Sequence, residues 1–279
     1  MYVSAGEGQV EQDARALAQA VAADETRRAS RWQLRFRLGW GILIALLAGF
    51  VLISLNVEID FIARATPFIL EGIWITLIVS SASIVLATLL AALGALGRLS
   101  SNAIINAIAS FYVSFFRGTP LILQLLVWYL ALPQVGLIFD PIYCAIGALG
   151  MNYGAYMTEI FRAGIQAVPL GQREAAAALG MSSRIAFLRI VAPQAFRIIV
   201  PAIGNDFVAM LKDSALASTV ALQEIVWRAR NVGQKEFKTL QTFIIAAMIY
   251  WALTIIFSTF QNRLEKRLAA GDRNKESKG

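Results

Sequence analysis

The sequence predicts an all-α integral membrane protein, a helical bundle of about six transmembrane helices. Three observations lead there. Hydrophobic residues make up 58% of the 279-residue chain and charged residues only 15%, and a mean hydropathy of +0.62 lies well above that of soluble domains. Charge-free runs of about 20 residues, enough to cross the hydrocarbon layer at roughly 1.5 Å per residue, recur along the chain. The polar stretches between those runs differ sharply in basic content, as expected where Lys and Arg fix orientation during insertion.

In chain order, residues 1–37 form a polar tail. It is helix-prone over 11–23 and ends in the basic cluster Arg27, Arg28, Arg31, Arg35 and Arg37. The run at 38–55 is long for a signal-peptide core and no clean A-x-A site follows it, so it reads as an uncleaved first span. The second run is 72–97. Residues 101–116 are moderately apolar and fit either an interfacial segment or an inward extension of the third helix. Runs at 118–139, 141–158 and 239–262 are free of charge. The remaining span, 190–211, carries Arg197 and Asp206 and is punctuated by Pro193, Pro201 and Gly204. No internal repeat is visible, which weighs against a carrier built from duplicated halves.

Six spans put both termini on one side. That side then holds 18 of the 25 lysines and arginines and the other side 6, with Arg197 inside a span. The positive-inside rule makes the richer side cytoplasmic. Both tails and the loop at 166–189 therefore face the cytoplasm, and the net charge of +7 records topology rather than nucleic-acid binding.

Composition also limits chemistry. The chain has no histidine and one cysteine, Cys144, which removes the commonest metal ligand, the usual base of a nucleophilic triad and any internal disulfide. No G-x-x-x-x-G-K-[ST] phosphate loop is present, so ATP, if used, is bound by another chain. Cys144 reads as a packing residue. The six tryptophans suit span ends and lipid-facing positions. Gly94 and Gly97, with Ala91 and Ala92, form a small-residue patch suited to close helix contact.

One stretch does not fit an oily bundle: GQREAAAALGMSSRIAFLRIVAPQAF, residues 171–196. Pro169 can open a helix because its missing N–H falls among donors that lack partners anyway. Glu174 and Ala175 to Ala178 propagate it, Gly180 can end it in the left-handed conformation, and Ser182 or Ser183 can cap the next. The pattern predicts a short cytoplasmic helix, a turn and a second helix. Four alanines leave little bulk, so another protein's surface can approach the backbone closely. On pattern alone, however, an ordinary solvated connector is the plainer reading.

Glu174, Ala175 and Ala176, then Gly180, then Ile190 and Pro193 have the spacing of the EAA loop, and the chain resembles the membrane subunits of binding-protein-dependent ABC importers. Ala192 stands where that family usually has leucine. Over most of 71–268 the resemblance is to the polar amino acid branch. FFRGTPLILQL (115–125) looks like that branch's Arg-Gly-Thr-Pro segment, GAYMTEIFRAGIQAVPLGQREAA (154–176) looks like the span end leading into the loop, and LKDSALAS (211–218) is a looser match. Ser114 and Ala215 depart from it, at positions where an acid and a serine or threonine are expected.

The resemblance implies a five-helix permease core plus one extra N-terminal helix. Its expected parts are a cytoplasmic tail at 1–37, the extra transmembrane helix and an outer loop at 38–67, a permease domain at 68–262 with its coupling loop at 166–189, and a basic cytoplasmic tail at 263–279. It further implies a multi-pass subunit of the bacterial inner membrane that forms a path for a polar or charged amino acid and is not itself an enzyme. The implied partners are a cytoplasmic ATPase dimer that binds ATP and Mg, a second permease chain, identical or paralogous, and an extracytoplasmic solute-binding protein. Glu174, Ala175, Ala176 and Gly180, with Arg173, would couple the chain to the ATPase. No cofactor, metal or nucleic acid is expected on this chain.

Ionisable residues inside a membrane are costly, so they mark candidate solute contacts. Glu159, with Tyr156 one turn before it, could receive an ammonium or guanidinium group, or could simply pair with Arg162. Asn205 and Asp206 follow the break at Pro201 and Gly204. Arg197 has a plain reading as an internal ion-pair partner, and Thr119 and Pro120 as a helix entry. The rival reading, a self-sufficient ion-coupled carrier or channel, needs an embedded acid or histidine relay that this composition scarcely provides.

Overall fold

The structure is a computed structural model, and it describes residues 28, 30–46, 49–50 and 58–276. The expected helix at 11–23, Arg27 of the basic N-terminal cluster and most of the second half of the 38–55 span lie outside the described residues. The chain divides into two units at Glu58 and Ile59. In the first, residues 30–46 are helical (α1). Trp32 stacks on Phe36 with ring centroids 5.2 Å apart, and Trp40 follows at the same helical spacing.

The second unit starts with α2 (Ile59–Leu70) and α3 (Gly72–Arg98). These run almost without interruption through Glu71 and make one apolar segment of 40 residues. Residues 59–67, expected in an outer loop, are thus helical. The signal was present: Phe61, Ala65 and Ile69 recur at four-residue spacing and are buried together.

The third expected span, 118–139, is not one straight helix. Asn102 caps α4 (Ala103–Gly118) by accepting from the backbone N–H of Ile104 and Ile105. The chain then breaks at Thr119 and Pro120, both in extended backbone. Proline lacks a donor and disfavours helix in the residue before it. After the break come α5 (Leu121–Leu126), one wide turn at Val127–Ala131 and one tight turn at Leu132–Val135. The two halves meet at 102°. Hydropathy averages over such a joint and cannot show it.

At the centre stands α6 (Pro141–Gln166), eight residues longer than its apolar run of 141–158. Its 26 residues make a rod of about 39 Å. The sequence explains its position. Glycines let neighbours close in: a Cβ at Gly150 would strike Leu86, one at Gly154 would strike Leu90 and Tyr112, and one at Gly94 of α3 would strike Thr158. The largest core cluster forms there, joining Val79, Ala87 and Ala91 of α3 to Ala148, Leu149 and Met157 of α6. Cys144 is fully buried in that wall.

The loop at 166–189 folds as α7 (Leu170–Ala178) and the short α8 (Ser183–Ala186). A wide turn at Phe187–Val191 leads into α9 (Ala192–Asp213), which tightens over Ser214–Val220. α10 (Ile225–Lys235) is capped by Glu224, whose carboxylate accepts from the N–H of Val226 and Trp227 and from the Tyr250 hydroxyl. Burial pushes that carboxyl above its ordinary range, and the three donors pull it back. α11 (Thr239–Glu276) closes the unit.

Among the described residues three helical segments are long and apolar enough to cross a membrane, and the bent α4–α5 pair makes a fourth. The expected six included α6, which has the length but is rich in glycine, alanine and tyrosine, and much of it is buried within the protein.

Candidate functional site

Two places gather the residues singled out above. The first is an open cavity of about 790 Å³ walled by the α4–α5 joint, α6 and α9. The joint is held from inside the protein. Gln124, nearly buried, donates to the carbonyls of Phe116 (3.0 Å) and Thr119 (3.2 Å) and to the Thr119 hydroxyl (2.8 Å). Asn152 of α6 donates to the same Phe116 carbonyl at 2.9 Å. A helix break at membrane depth frees carbonyls that water cannot reach, and these two amides satisfy them.

Of the four residues proposed to touch solute, Glu159, Tyr156 and Asp206 line this cavity. Asn205 is exposed and does not line it. The roles of the three differ. Glu159 is occupied by two guanidinium groups, Arg98 at 3.1 Å and Arg162 at 2.7 Å. Arg98 also bonds the Ser110 hydroxyl, and its backbone carbonyl accepts from Asn106 at 2.8 Å. That cluster ties α3, α4 and α6 together, and its carboxylate has little left to offer a ligand. Tyr156 lies under Arg117, whose guanidinium carbon sits 5.0 Å from the ring centroid. Asp206 is half-buried, and its Oδ2 is shielded from solvent and has no partner within the protein.

The sequence reading missed Asp213. It lines the cavity and accepts from the Tyr153 hydroxyl at 2.7 Å. The signal was the seven-residue spacing from Asp206, close to two full turns, which puts both acids on one face of α9. Arg117, two residues before the break at Thr119, also faces the cavity. With Glu159 neutralised, Arg117 stands as a positive group beside two carboxylates.

The second place is the loop. Gly180 has φ of +72°, a left-handed turn that ends α7 as expected. Arg173 points back into the protein and donates to the Ile165 carbonyl at 2.7 Å, fixing α7 to the end of α6. Ala176 is 1% exposed and packs inward, seating the helix. Glu174 and Ala175 face outward, and Leu170 and Leu179 are 68% and 81% exposed at the two ends of α7.

Comparison with known proteins places this architecture. Residues 83–270 match the family described as binding-protein-dependent transport system inner membrane component. The arginine transport system permease protein ArtQ of Bacillus subtilis (strain 168) is 37% identical over 219 residues, covering 78% of this chain and all of that protein. The L-cystine transport system permease protein TcyB of the same organism is 36% identical over 203 residues, covering 72% of this chain and 87% of its own length. A crystal structure of an amino acid ABC transporter with histidines superposes with a TM-score of 0.72 at 36% identity, over 76% of this chain and 99% of the other. The inward-facing MetNI methionine ABC transporter matches in fold alone, with a TM-score of 0.62 at 18% identity, over 72% of this chain and 96% of the other.

The chain belongs to the binding-protein-dependent transport system inner membrane component family, the membrane-spanning permease subunits of ABC transporters. Within that family it falls among the amino-acid permeases.

Proposed function

We propose that this chain forms the import path for a polar or charged amino acid, driven by ATP hydrolysis on a separate cytoplasmic subunit. The carrying observation is the cavity at the α4–α5 joint: Arg117, Asp206 and Asp213 in one space of about 790 Å³. That size is ordinary for a small-molecule site, where pockets run about 300–1,000 Å³. A positive group set against two carboxylates matches the charges of a zwitterion. Solute therefore passes Arg117 with its carboxylate and Asp206 with its ammonium or cationic side chain. The permeases for arginine and cystine among the relatives support the amino-acid reading.

Two copies of the chain, or this chain and a paralogue, close the path between them, and a solute-binding protein delivers the amino acid from outside. The ATPase dimer, holding ATP and Mg, docks on the outward face of α7 around Glu174 and Ala175. Gly180 supplies the turn that lets α7 stand out as a separate lever. ATP drives the cycle only by binding one arrangement of the dimer better than the other. A firmly seated α7, held by Arg173 and Ala176, passes that preference to the spans.

The test is reconstituted uptake by the chain with its ATPase and binding protein. Asp206→Asn removes one charge while keeping shape, and it is expected to reduce ATP-driven uptake about 10- to 100-fold, the loss of one charge-assisted hydrogen bond. Unchanged uptake by that variant, or uptake by the purified chain alone on an ion gradient, overturns the reading.

A further inference from the structure

A second cleft lies between α9 and α11. Gly204 makes room for it, since a Cβ there would sit 3.3 Å from Gln261 Cγ. Phe207 and Phe257 meet edge to face, 5.2 Å between centroids. With Val208, Phe260 and Leu264 they wall an open, chiefly apolar cleft of about 430 Å³. One end of it is different. Arg263 and Arg267 stand there, one helical turn apart on the same face of α11, both exposed. Among the described residues neither guanidinium has an ion-pair partner, while the nearby Glu265 is engaged by Gln261 at 3.0 Å.

The position of the cleft along α11 fixes its surroundings. The charge-free run of α11 ends at Asn262, so Phe257 and Phe260 lie within hydrocarbon reach and the arginines just past it, at headgroup level. Its position around α9 is equally informative. At about 100° per residue, Gly204 and Val208 lie about 160° around α9 from Asp206, and Phe207 about 100°. The cleft is thus on a different face of α9 from the cavity, and a partner chain that closes the cavity need not cover it.

We propose that the α9–α11 cleft binds an anionic phospholipid, its acyl chain against Phe207, Phe257 and Phe260 and its phosphate between Arg263 and Arg267. Charge complementarity selects this occupant. A free phosphate satisfies the arginines but leaves the aromatic slot empty. A zwitterionic lipid fills the slot but brings its own cation to the pair. A second copy of this chain would present another basic end, since residues 263–279 hold six basic and three acidic residues. Basic pockets between transmembrane helices at the membrane surface are known to take anionic headgroups. Such a lipid contacts both helices and braces α11 against α9.

The full-length chain, purified in a neutral detergent, is titrated with phosphatidylglycerol, with phosphatidylcholine of the same acyl chains, and with glycerol 1-phosphate. Binding is read by native mass spectrometry and by the thermal midpoint. Phosphatidylglycerol is expected to bind and raise the midpoint, and the other two are not. Arg263→Gln with Arg267→Gln, both at exposed helical positions, is expected to weaken phosphatidylglycerol binding roughly 30-fold. Phe260→Ala tests the apolar wall by a separate change and is expected to lower affinity for phosphatidylglycerol. Equal binding of the two lipids overturns the proposal, as does full protection by glycerol 1-phosphate or undiminished binding by the double variant. A cysteine at position 264 that cross-links two copies would show a second chain in the cleft and would also overturn it.

Discussion

At the scale of single residues, small side chains and paired charges decide how closely the helices approach. Gly94 faces Thr158, which is itself tied to the Gly154 carbonyl at 2.8 Å and has little freedom to yield. Gly94→Val is expected to destabilise the fold by about 1–3 kcal/mol through overpacking. Valine recovers little of this through helix propensity, where it gains at most a few tenths of a kcal/mol over glycine. The measurement is the thermal midpoint in detergent, and an unchanged midpoint would refute the α3–α6 contact. The same scale shows what residue type leaves open. Glu159, an acid near the end of an apolar run, reads in sequence either as a solute contact or as a partner of Arg162, and two arginines from separate parts of the chain converge on it. Arg162 was foreseeable at i+3, but Arg98, 61 positions away, was not, because nothing in sequence reports a tertiary ion pair. Asp213 was overlooked for the opposite reason: it follows Lys212 at a span end, where charged residues are commonplace.

At the scale of elements, the spans of 72–97, 190–211 and 239–262 were legible because long apolar runs have few alternatives in water. Their observed limits are wider, since helices continue past the hydrocarbon. The 102° joint was not legible from hydropathy, although Thr119 and Pro120 marked its place. α7 shows the same limit. Propensity, proline and glycine gave its ends to within a residue, but which alanine faces inward depends on what lies beneath. Glu174 faces outward, so Glu174→Ala is expected to leave folding intact, with a midpoint shift under about 0.5 kcal/mol, as for most surface changes. Uptake should fall several-fold while ATP hydrolysis by the partner continues. Uptake and hydrolysis that remain coupled in this variant would remove α7 from the transmission path.

At the scale of the whole molecule, orientation rests on the uneven distribution of basic residues and can be tested with the chain's own chemistry. Cys144, the only cysteine, is fully buried. The native chain is therefore expected to resist a membrane-impermeant maleimide until it is denatured. Against that silent background, Glu174→Cys should label only from the cytoplasmic face of sealed vesicles. Ile138→Cys, at a site 80% exposed beyond the joint, should label only from the other. The reverse pattern would invert the topology and detach α7 from any cytosolic motor. Fold class was readable from composition at this scale, because a bilayer allows few architectures, and the family from the resemblance of residues 115–125 and 154–193 to its motifs. The charge arrangement inside the cavity was not, because it depends on three elements meeting.

The doubly held Phe116 carbonyl has a consequence for selectivity. Gln124 from one side and Asn152 from the other brace the bend between α4 and α5 at a shared carbonyl. If the cavity is the solute's route, this lip is expected to keep a constant gauge, and widening during the cycle is expected on the α9 side, which carries both aspartates.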